Sequence, residues 1–243
     1  MHKILRTIGE LMTFGKCAVL VVEDDATLRS ILEEELTRSG YQVSTAPDGE
    51  LGLLKFIEQA HDLIITDYNM PGMNGATLIK YLKRVDHYLP VLITTGMTQP
   101  DLLVDFLKFP NLLILPKPFT DETLHEGIRS VMANRRTWGK QHRRKHLRIP
   151  LTLPADTNAH GPIQIRNLGL SGLAARVTNP IPVGTQLDIK LPIEENSIQI
   201  KAQAVWSRGH ECGMAFKDLS ENDVSTLKHW FFRIVSNSPN LSP

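Results

Sequence analysis

Cysteine is scarce in this chain of 243 residues, which contains only Cys17 and Cys212. The two positions lie far apart in the sequence and match no known spacing of metal-binding cysteines. Sparse, unpaired cysteine is typical of proteins from a reducing compartment. We therefore expect two free, buried thiols in a cytoplasmic protein.

Long apolar runs are also missing, since no segment approaches the length needed to span a bilayer. We therefore expect a soluble protein with no membrane span. Residues 1–16 place apolar side chains at helical spacing but lack the long apolar stretch of a secretory signal. We treat residues 1–16 as an N-terminal extension.

Acidic residues are absent from one long segment, residues 127–155, which contains eight lysines and arginines. The other 19 of the 27 basic residues stand against 26 acidic ones, so the rest of the chain is acidic on balance. This distribution argues against a general binder of polyanions and confines any strong positive potential to one segment.

The chain before this basic segment alternates short apolar runs with amphipathic helical patterns. The first run, AVLVV at 18–22, is continuously apolar, as expected for a strand buried on both faces. The other runs are YQVSTA, DLIIT, VLITT and LLIL, and each of the five is followed by a helical pattern; the fourth helix is predicted after Pro100. This alternation predicts an α/β domain with a doubly wound, five-stranded parallel sheet.

After the basic segment the period of the apolar residues changes to two. In SIQIKAQAVW, the apolar residues Ile198, Ile200, Ala202, Ala204 and Trp206 alternate with other residues, which predicts that all five face a core. Proline and glycine punctuate the connections, and a final amphipathic helix is predicted with Ser220 as its cap. The pattern predicts an antiparallel barrel or sandwich with a C-terminal helix.

Polar side chains stand where the parallel strands of the first domain end. Glu23 and Asp24 follow the first strand, Asp67 ends the third, Thr95 ends the fourth and Lys117 follows the fifth. The carboxyl ends of parallel strands meet at one edge of a sheet, so we expect these side chains to share a crevice. Gathered carboxylates favour a hard cation such as Mg²⁺, while the lysine and the hydroxyl suit phosphoryl oxygens.

The segments VVEDD, TDYNMPGMNG, PVLITTG and PKPF together resemble a response-regulator receiver domain, over residues 17–134. The resemblance implies a flavodoxin-like fold in which a histidine kinase or phosphotransfer protein phosphorylates Asp67. It implies that Glu23, Asp24, Asp67 and the backbone carbonyl of Asn69 bind Mg²⁺, and that Thr95 and Lys117 bind the phosphoryl group. Receivers often carry an aromatic residue three positions before the lysine, where this chain has Ile114.

The most basic stretch, HRRKHLRIP at 142–150, is compatible with three interpretations. It suits a solvated linker between domains, and it also suits a patch that binds nucleic acid. The second half shows no helix-turn-helix pattern or zinc spacing, so we expect no sequence-specific nucleic-acid binding. In the third interpretation the arginines clamp a guanine nucleotide, because a guanidinium group forms paired hydrogen bonds with phosphate or with a guanine edge.

Residues from about 142 to 236 resemble a PilZ domain, a family that binds cyclic di-GMP. Its arginine motif RxxxR is matched by Arg144 and Arg148, and its second motif, D/N-x-S-x-x-G, aligns with NLGLSG at 167–172. The resemblance implies nucleotide contacts from Arg143, Arg144, Arg148, Asn167, Ser171 and Gly172. The serine of the motif is Gly169 here, and the loss of one hydroxyl contact costs about 0.5–1.5 kcal/mol. Ser171, two residues later, either replaces that contact or only caps a turn.

We interpret the chain as a two-component response regulator with a receiver and a PilZ output domain that signals to a partner protein. The expected boundaries are 1–16 for the extension, 17–134 for the receiver, 135–147 for the basic linker, 148–236 for the PilZ domain and 237–243 for the tail. No independent catalytic site is evident, so we do not expect this protein to be an enzyme. The alternative is a PilZ domain that has lost nucleotide binding and acts as a phosphorylation-controlled protein-interaction module.

Overall fold

The computed structural model describes residues 17–96, 106, 109–133, 147–193 and 196–237. The chain divides into two compact units, and the second takes in the chain from residue 145 onward. The predictions for the extension, for the helix after Pro100, for most of the basic linker and for the tail lie outside the described residues.

The first unit contains the predicted five-stranded parallel sheet, with strand order β2-β1-β3-β4-β5. The strands are β1 (Ala18–Val22), β2 (Gln42–Ala46), β3 (Leu63–Asp67), β4 (Val91–Thr95) and β5 (Leu112–Pro116). All residues of β3 and β4 are buried, as their continuous apolar runs predict for strands covered on both faces. The predicted fold class of this domain is confirmed.

Four helices of this unit are described up to residue 133. Three begin at polar caps and one follows Asp48; they are α1 (Ala26–Arg38), α2 (Gly49–Glu58), α3 (Gly75–Val85) and α4 (Asp121–Met132). The side chain of Asp25 accepts hydrogen bonds from the backbone of Thr27 and Leu28, which satisfies two free N–H groups at the start of α1. Each helix places an apolar stripe on the sheet, and burial of each large apolar side chain contributes about 1.5–3 kcal/mol.

The second unit is a closed, six-stranded antiparallel barrel with strand order β10-β11-β8-β7-β6-β9. Its strands are β6 (Ile149–Thr157), β7 (Gly161–Gly169), β8 (Gly172–Val177), β9 (Gln186–Ile193), β10 (Asn196–Arg208) and β11 (Glu211–Lys217). Alternating burial along β9 shows that its apolar face lines the core. The barrel confirms one of the two predicted all-β architectures.

The final helix, α5 (Glu221–Asn237), follows the cap predicted from the sequence. The hydroxyl of Ser220 accepts a hydrogen bond from the backbone of Asp223, whose carboxylate accepts one from the same hydroxyl. Leu227 and Phe231, two members of the predicted apolar stripe, are buried. Among the described residues, the structure contains no helix with the length and apolar character required to cross a membrane.

The prediction that Trp206 faces the core is wrong, because 38% of this residue is exposed. The pairing of β10 with β11 shifts register between Ala204 and Trp206, and such a bulge changes the face to which later side chains point. The indole instead lies across Gly213, where an added Cβ would come within 1.9 Å of the indole nitrogen.

Candidate functional site

Three carboxylates converge at the carboxyl edge of the parallel sheet. Glu23 and Asp24 follow β1, and Asp67 is the last residue of β3. One oxygen atom from each of the three lies within 4.8 Å of the others. Glu23 and Asp67 are buried whereas Asp24 is exposed, so the cluster has a buried side and a side open to solvent.

Lys117 places its ammonium group among these acids. The distances from its Nζ are 2.9 Å to Oε2 of Glu23 and 3.1 Å to Oδ2 of Asp67. The backbone N–H of Lys117 donates to the carbonyl of Thr95 at 2.7 Å, which continues the pairing of β5 with β4. Lys117 therefore bridges the ends of strands that lie far apart in the sequence.

The electrostatics of the cluster follow from burial and close charges. Burial raises the pKa of the Glu23 carboxyl, and the nearby charge of Asp67 adds to this, although the hydrogen bond from Lys117 opposes it. Burial alone would lower the pKa of Lys117, but its hydrogen bond to Glu23 and the charges of Glu23 and Asp67 raise the pKa overall. The site thus favours the charged form of Lys117 and disfavours the ionised form of Glu23.

The loop that carries Glu23 and Asp24 is held by the first helix. The Nη1 of Arg29 donates to the carbonyl of Glu23 at 2.6 Å and to that of Asp24 at 3.2 Å. Asp25 caps α1, so the structure separates the three consecutive acids into two cluster members and one cap. The role of Arg29 was not predicted from the sequence. An arginine in the first turn of a helix that follows an acidic loop is a signal that could have identified it.

Gly75 is a second residue that the sequence analysis did not single out. It is the first residue of α3, and an added Cβ would lie 2.0 Å from the carbonyl oxygen of Asp67. Only glycine permits this approach, because the obstructing atoms belong to the backbone. Gly75 therefore lets the start of α3 pack directly against the backbone carbonyl of Asp67 at the end of β3.

The remaining residues predicted for this site lie at the same edge of the sheet. Thr95 is buried at the end of β4, and Asn69 is exposed two residues after Asp67. Ile114 lies within β5, opposite Ile93 of β4, and is partly buried. The aliphatic side chain at this position carries no ring that could move towards Thr95.

The donor set suits a magnesium ion. Carboxylate oxygens are the ligands that Mg²⁺ prefers, and Mg²⁺ retains several waters, which the exposed side at Asp24 permits. Glu23, Asp24 and Asp67 are the residues that would hold the ion, and Asn69 follows Asp67 two positions later in the chain. When bound, the ion would neutralise negative charge on a phosphoryl group.

In the barrel, the structure brings together two of the residues predicted to bind nucleotide. The Nη1 of Arg148 donates to Oδ1 of Asn167 at 3.2 Å. Arg148 immediately precedes β6, and Asn167 lies opposite Pro150 in the β6–β7 pairing. Arg143 and Arg144 lie outside the described residues.

The predicted second motif forms the hairpin between β7 and β8. Gly169 pairs with Gly172, so Leu170 and Ser171 form a two-residue turn whose serine is exposed. An added Cβ at Gly172 would lie 2.1 Å from the carbonyl oxygen of Met214 on β11. Close packing of two strands thus requires glycine at 172, whatever else approaches it.

The comparisons with known families match both domains of the chain. Residues 19–129 match the family model of the response regulator receiver domain, and residues 142–233 match that of the PilZ domain. The chain therefore carries a response regulator receiver domain followed by a PilZ domain.

Individual relatives match only part of the chain. The transcriptional regulatory protein ZraR of Salmonella typhimurium is 32% identical over 130 residues, which are 54% of this chain and 30% of that protein. The chemotaxis protein CheY of Bacillus subtilis is 27% identical over 115 residues, or 47% of this chain and 96% of CheY. Apart from CheY, the chain spans less than two thirds of the length of each of the first curated relatives, for example 55% of RprY of Bacteroides fragilis.

Two solved structures also match about half of this chain. The chemotaxis protein CheY4 of Vibrio cholerae has 32% sequence identity and a TM-score of 0.46, covering 48% of this chain and 99% of that chain. A receiver protein from Sinorhizobium medicae has 22% identity and a TM-score of 0.45, covering 50% and 98% respectively.

Proposed function

We propose that this protein is a two-component response regulator that accepts a phosphoryl group on Asp67 and binds cyclic di-GMP through its PilZ domain. The observation that carries the proposal is the position of Asp67, at the end of a buried strand within 3.1 Å of Lys117 and clustered with Glu23 and Asp24. A histidine kinase or phosphotransfer protein would supply the phosphoryl group, and an unidentified protein would receive the signal.

The chemistry follows from this geometry. An oxygen of Asp67 attacks the phosphorus of a phosphohistidine; the new O–P bond forms as the P–N bond breaks, and the imidazole leaves with the electron pair. Lys117 already lies beside the attacking carboxylate of Asp67, so its ammonium is placed to pair with a phosphoryl oxygen after transfer. Thr95, buried at the end of the adjacent strand, is the nearby hydroxyl predicted to bind a second oxygen.

Nucleotide binding is supported by the contact between Arg148 and Asn167. The arginine supplies a planar set of donors for phosphate or for the O6 and N7 of guanine, and the amide can reach a base edge. Arg148 and Asn167, one residue from each motif, are 19 positions apart in the sequence and in contact in the structure. This is the arrangement that a nucleotide site requires, whereas a platform for protein docking does not need it.

Phosphorylation is tested with acetyl phosphate and Mg²⁺, with intact mass as the readout. The wild type is expected to gain one phosphoryl group, Asp67→Asn none, and the exposed carboxylate control Glu33→Gln the same as wild type. Phosphorylation of Asp67→Asn to the wild-type extent would contradict the assignment of the acceptor.

Nucleotide binding is tested by calorimetric titration of cyclic di-GMP into the full chain. Saturable binding supports the proposal, while its absence favours the protein-interaction module. Repeating the titration with beryllofluoride and Mg²⁺ tests the coupling of the two signals: a changed affinity is expected, and equal affinities would contradict coupling.

A further inference from the structure

Gly169 stands where the PilZ motif carries serine, and the structure gives a steric reason for the exchange. The residue is buried at the end of β7. A Cβ built on Gly169 would lie 2.2 Å from the carbonyl oxygen of Leu147 and 3.2 Å from Cγ of Arg148. The closest obstruction is backbone, so rotation of a side chain cannot relieve it.

This close approach belongs to the same strand pairing that positions Arg148. Ile149 lies opposite Leu168 and Pro150 opposite Asn167, so the chain just before β6 runs beside Gly169. From there the guanidinium of Arg148 reaches the amide oxygen of Asn167 at 3.2 Å. A side chain at 169 would push away the backbone that carries this arginine.

We propose that Gly169 is a positioning residue, which seats the segment 147–148 directly on the end of β7 and so fixes Arg148 for ligand binding. This site then requires glycine, and not the motif serine, at position 169. Restoring the motif serine would weaken the binding of cyclic di-GMP, because the added Cβ displaces the arginine segment. The part of this proposal that concerns the nucleotide rests on the proposed function, whereas the placement of the segment does not.

The first test uses hydrogen–deuterium exchange of the full chain without nucleotide. We expect the amides of residues 147–149 in the wild type to exchange as slowly as those of the paired residues of β6 and β7 that follow; Pro150 has no amide hydrogen. Rapid exchange of this segment in the wild type would overturn the proposal, whether or not any variant folds. Gly169→Ala and Gly169→Ser are expected to accelerate exchange there by about tenfold, because the added Cβ displaces the packed segment.

The control is Gln164→Ala, which changes an exposed residue of the same strand, five positions before Gly169. It is expected to leave the exchange of residues 147–149 unchanged. Exchange in the two Gly169 variants equal to that of wild type and of the control would contradict the positioning role.

The second test is titration of cyclic di-GMP into the same four proteins. Gly169→Ala and Gly169→Ser should lose affinity to the same extent, about tenfold, although only serine supplies the hydroxyl of the motif. Gln164→Ala should stay within about threefold of the wild type. Equal or tighter binding by Gly169→Ser would overturn the proposal. If the wild type binds no nucleotide, the proposed function fails, and the exchange experiment still decides the placement of the segment.

Discussion

The two domains differ in what they bury. Among the described residues, all eight buried polar or charged side chains lie in the receiver, including Glu23, Asp67, Lys83 and Thr95. The described part of the barrel and its helix buries only apolar side chains and Cys212. Its candidate ligand-binding groups lie at the rim, where Arg148 and Asn167 are only partly buried.

The difference in buried polar side chains affects how each site is prepared for its ligand. In the receiver, fixed strand ends hold like charges together, and Lys117 partly balances their repulsion before any ligand arrives. The barrel is an apolar scaffold in which the partly buried side chains of Arg148 and Asn167 form a hydrogen bond with each other. We therefore expect receiver substitutions to act mainly on stability and charge, and barrel substitutions to act mainly on ligand affinity.

The largest effect is expected where backbone packing supports the receiver site. Gly75→Ala should lower the free energy of unfolding by about 3 kcal/mol, because the new Cβ would meet the carbonyl of Asp67. Helix propensity alone predicts the opposite sign, a gain of about 1 kcal/mol. Urea unfolding of the full chain measures the change. The control is Gly96→Ala, where an added Cβ has nothing within 4 Å, and a stabilised Gly75→Ala would refute the packing argument.

The next effect concerns the buried lysine of α3. The ammonium of Lys83 donates to the carbonyls of Leu89 and Pro110 at 2.7 Å and of His87 at 3.3 Å, and burial lowers its pKa from 10.5 to about 8. Between pH 8 and 10.5 the unfolded chain then binds more protons at this residue than the folded one. The stability contributed by Lys83 should therefore rise with pH across that window, by at most about 3 kcal/mol.

Urea unfolding at several pH values checks this, with Lys83→Met as the reference because it removes the titrating group. The stability of the wild type relative to this variant should increase from pH 8 to 10.5. A difference that is constant or falls with pH would show that the folded protein does not depress this pKa.

In the barrel, Arg148→Ala should weaken the binding of cyclic di-GMP by about 10- to 100-fold, as hydrogen bonds to charged groups contribute about 1.5–3 kcal/mol. Its stability should change little, since Arg148 is not part of the core. Calorimetry and urea unfolding of the same samples give both quantities, and the exposed Arg208→Ala is the control. A large loss of stability with unchanged affinity would contradict the expectation that barrel substitutions act mainly on ligand affinity.

The smallest effect is expected from Lys117→Met on magnesium affinity. Removing a positive charge about 3 Å from Glu23 and Asp67 should tighten Mg²⁺ binding by several-fold, on the order of 1 kcal/mol. Calorimetric titration with Mg²⁺ measures it, and Lys80→Met, an exposed lysine on α3, should show no change. Weaker binding in Lys117→Met would mean that the lysine helps to organise the carboxylates more than it competes with the ion.

Much of the fold could be predicted because its signals are local. The run AVLVV predicted β1 at 18–22, the bounds that the structure shows, and Ser220 was found as the cap of α5. The roles of Gly75 and Gly169 could not be predicted in this way. Each depends on an approach between backbone and a group elsewhere in the structure, and no residue pattern along the chain records that distance.

The sequence by itself determined the periodicity of each element, the order of the two domains and the chemical types at the strand ends. Apolar spacing and turn residues suffice for this, because they act through burial and local backbone preference. Only the tertiary structure decided that a bulge turns Trp206 outward and that Gly75 lies against the carbonyl oxygen of Asp67. It also decided that Gly169 lies under Leu147. These outcomes depend on the register and close packing of segments distant in sequence, which are fixed only when the whole core assembles.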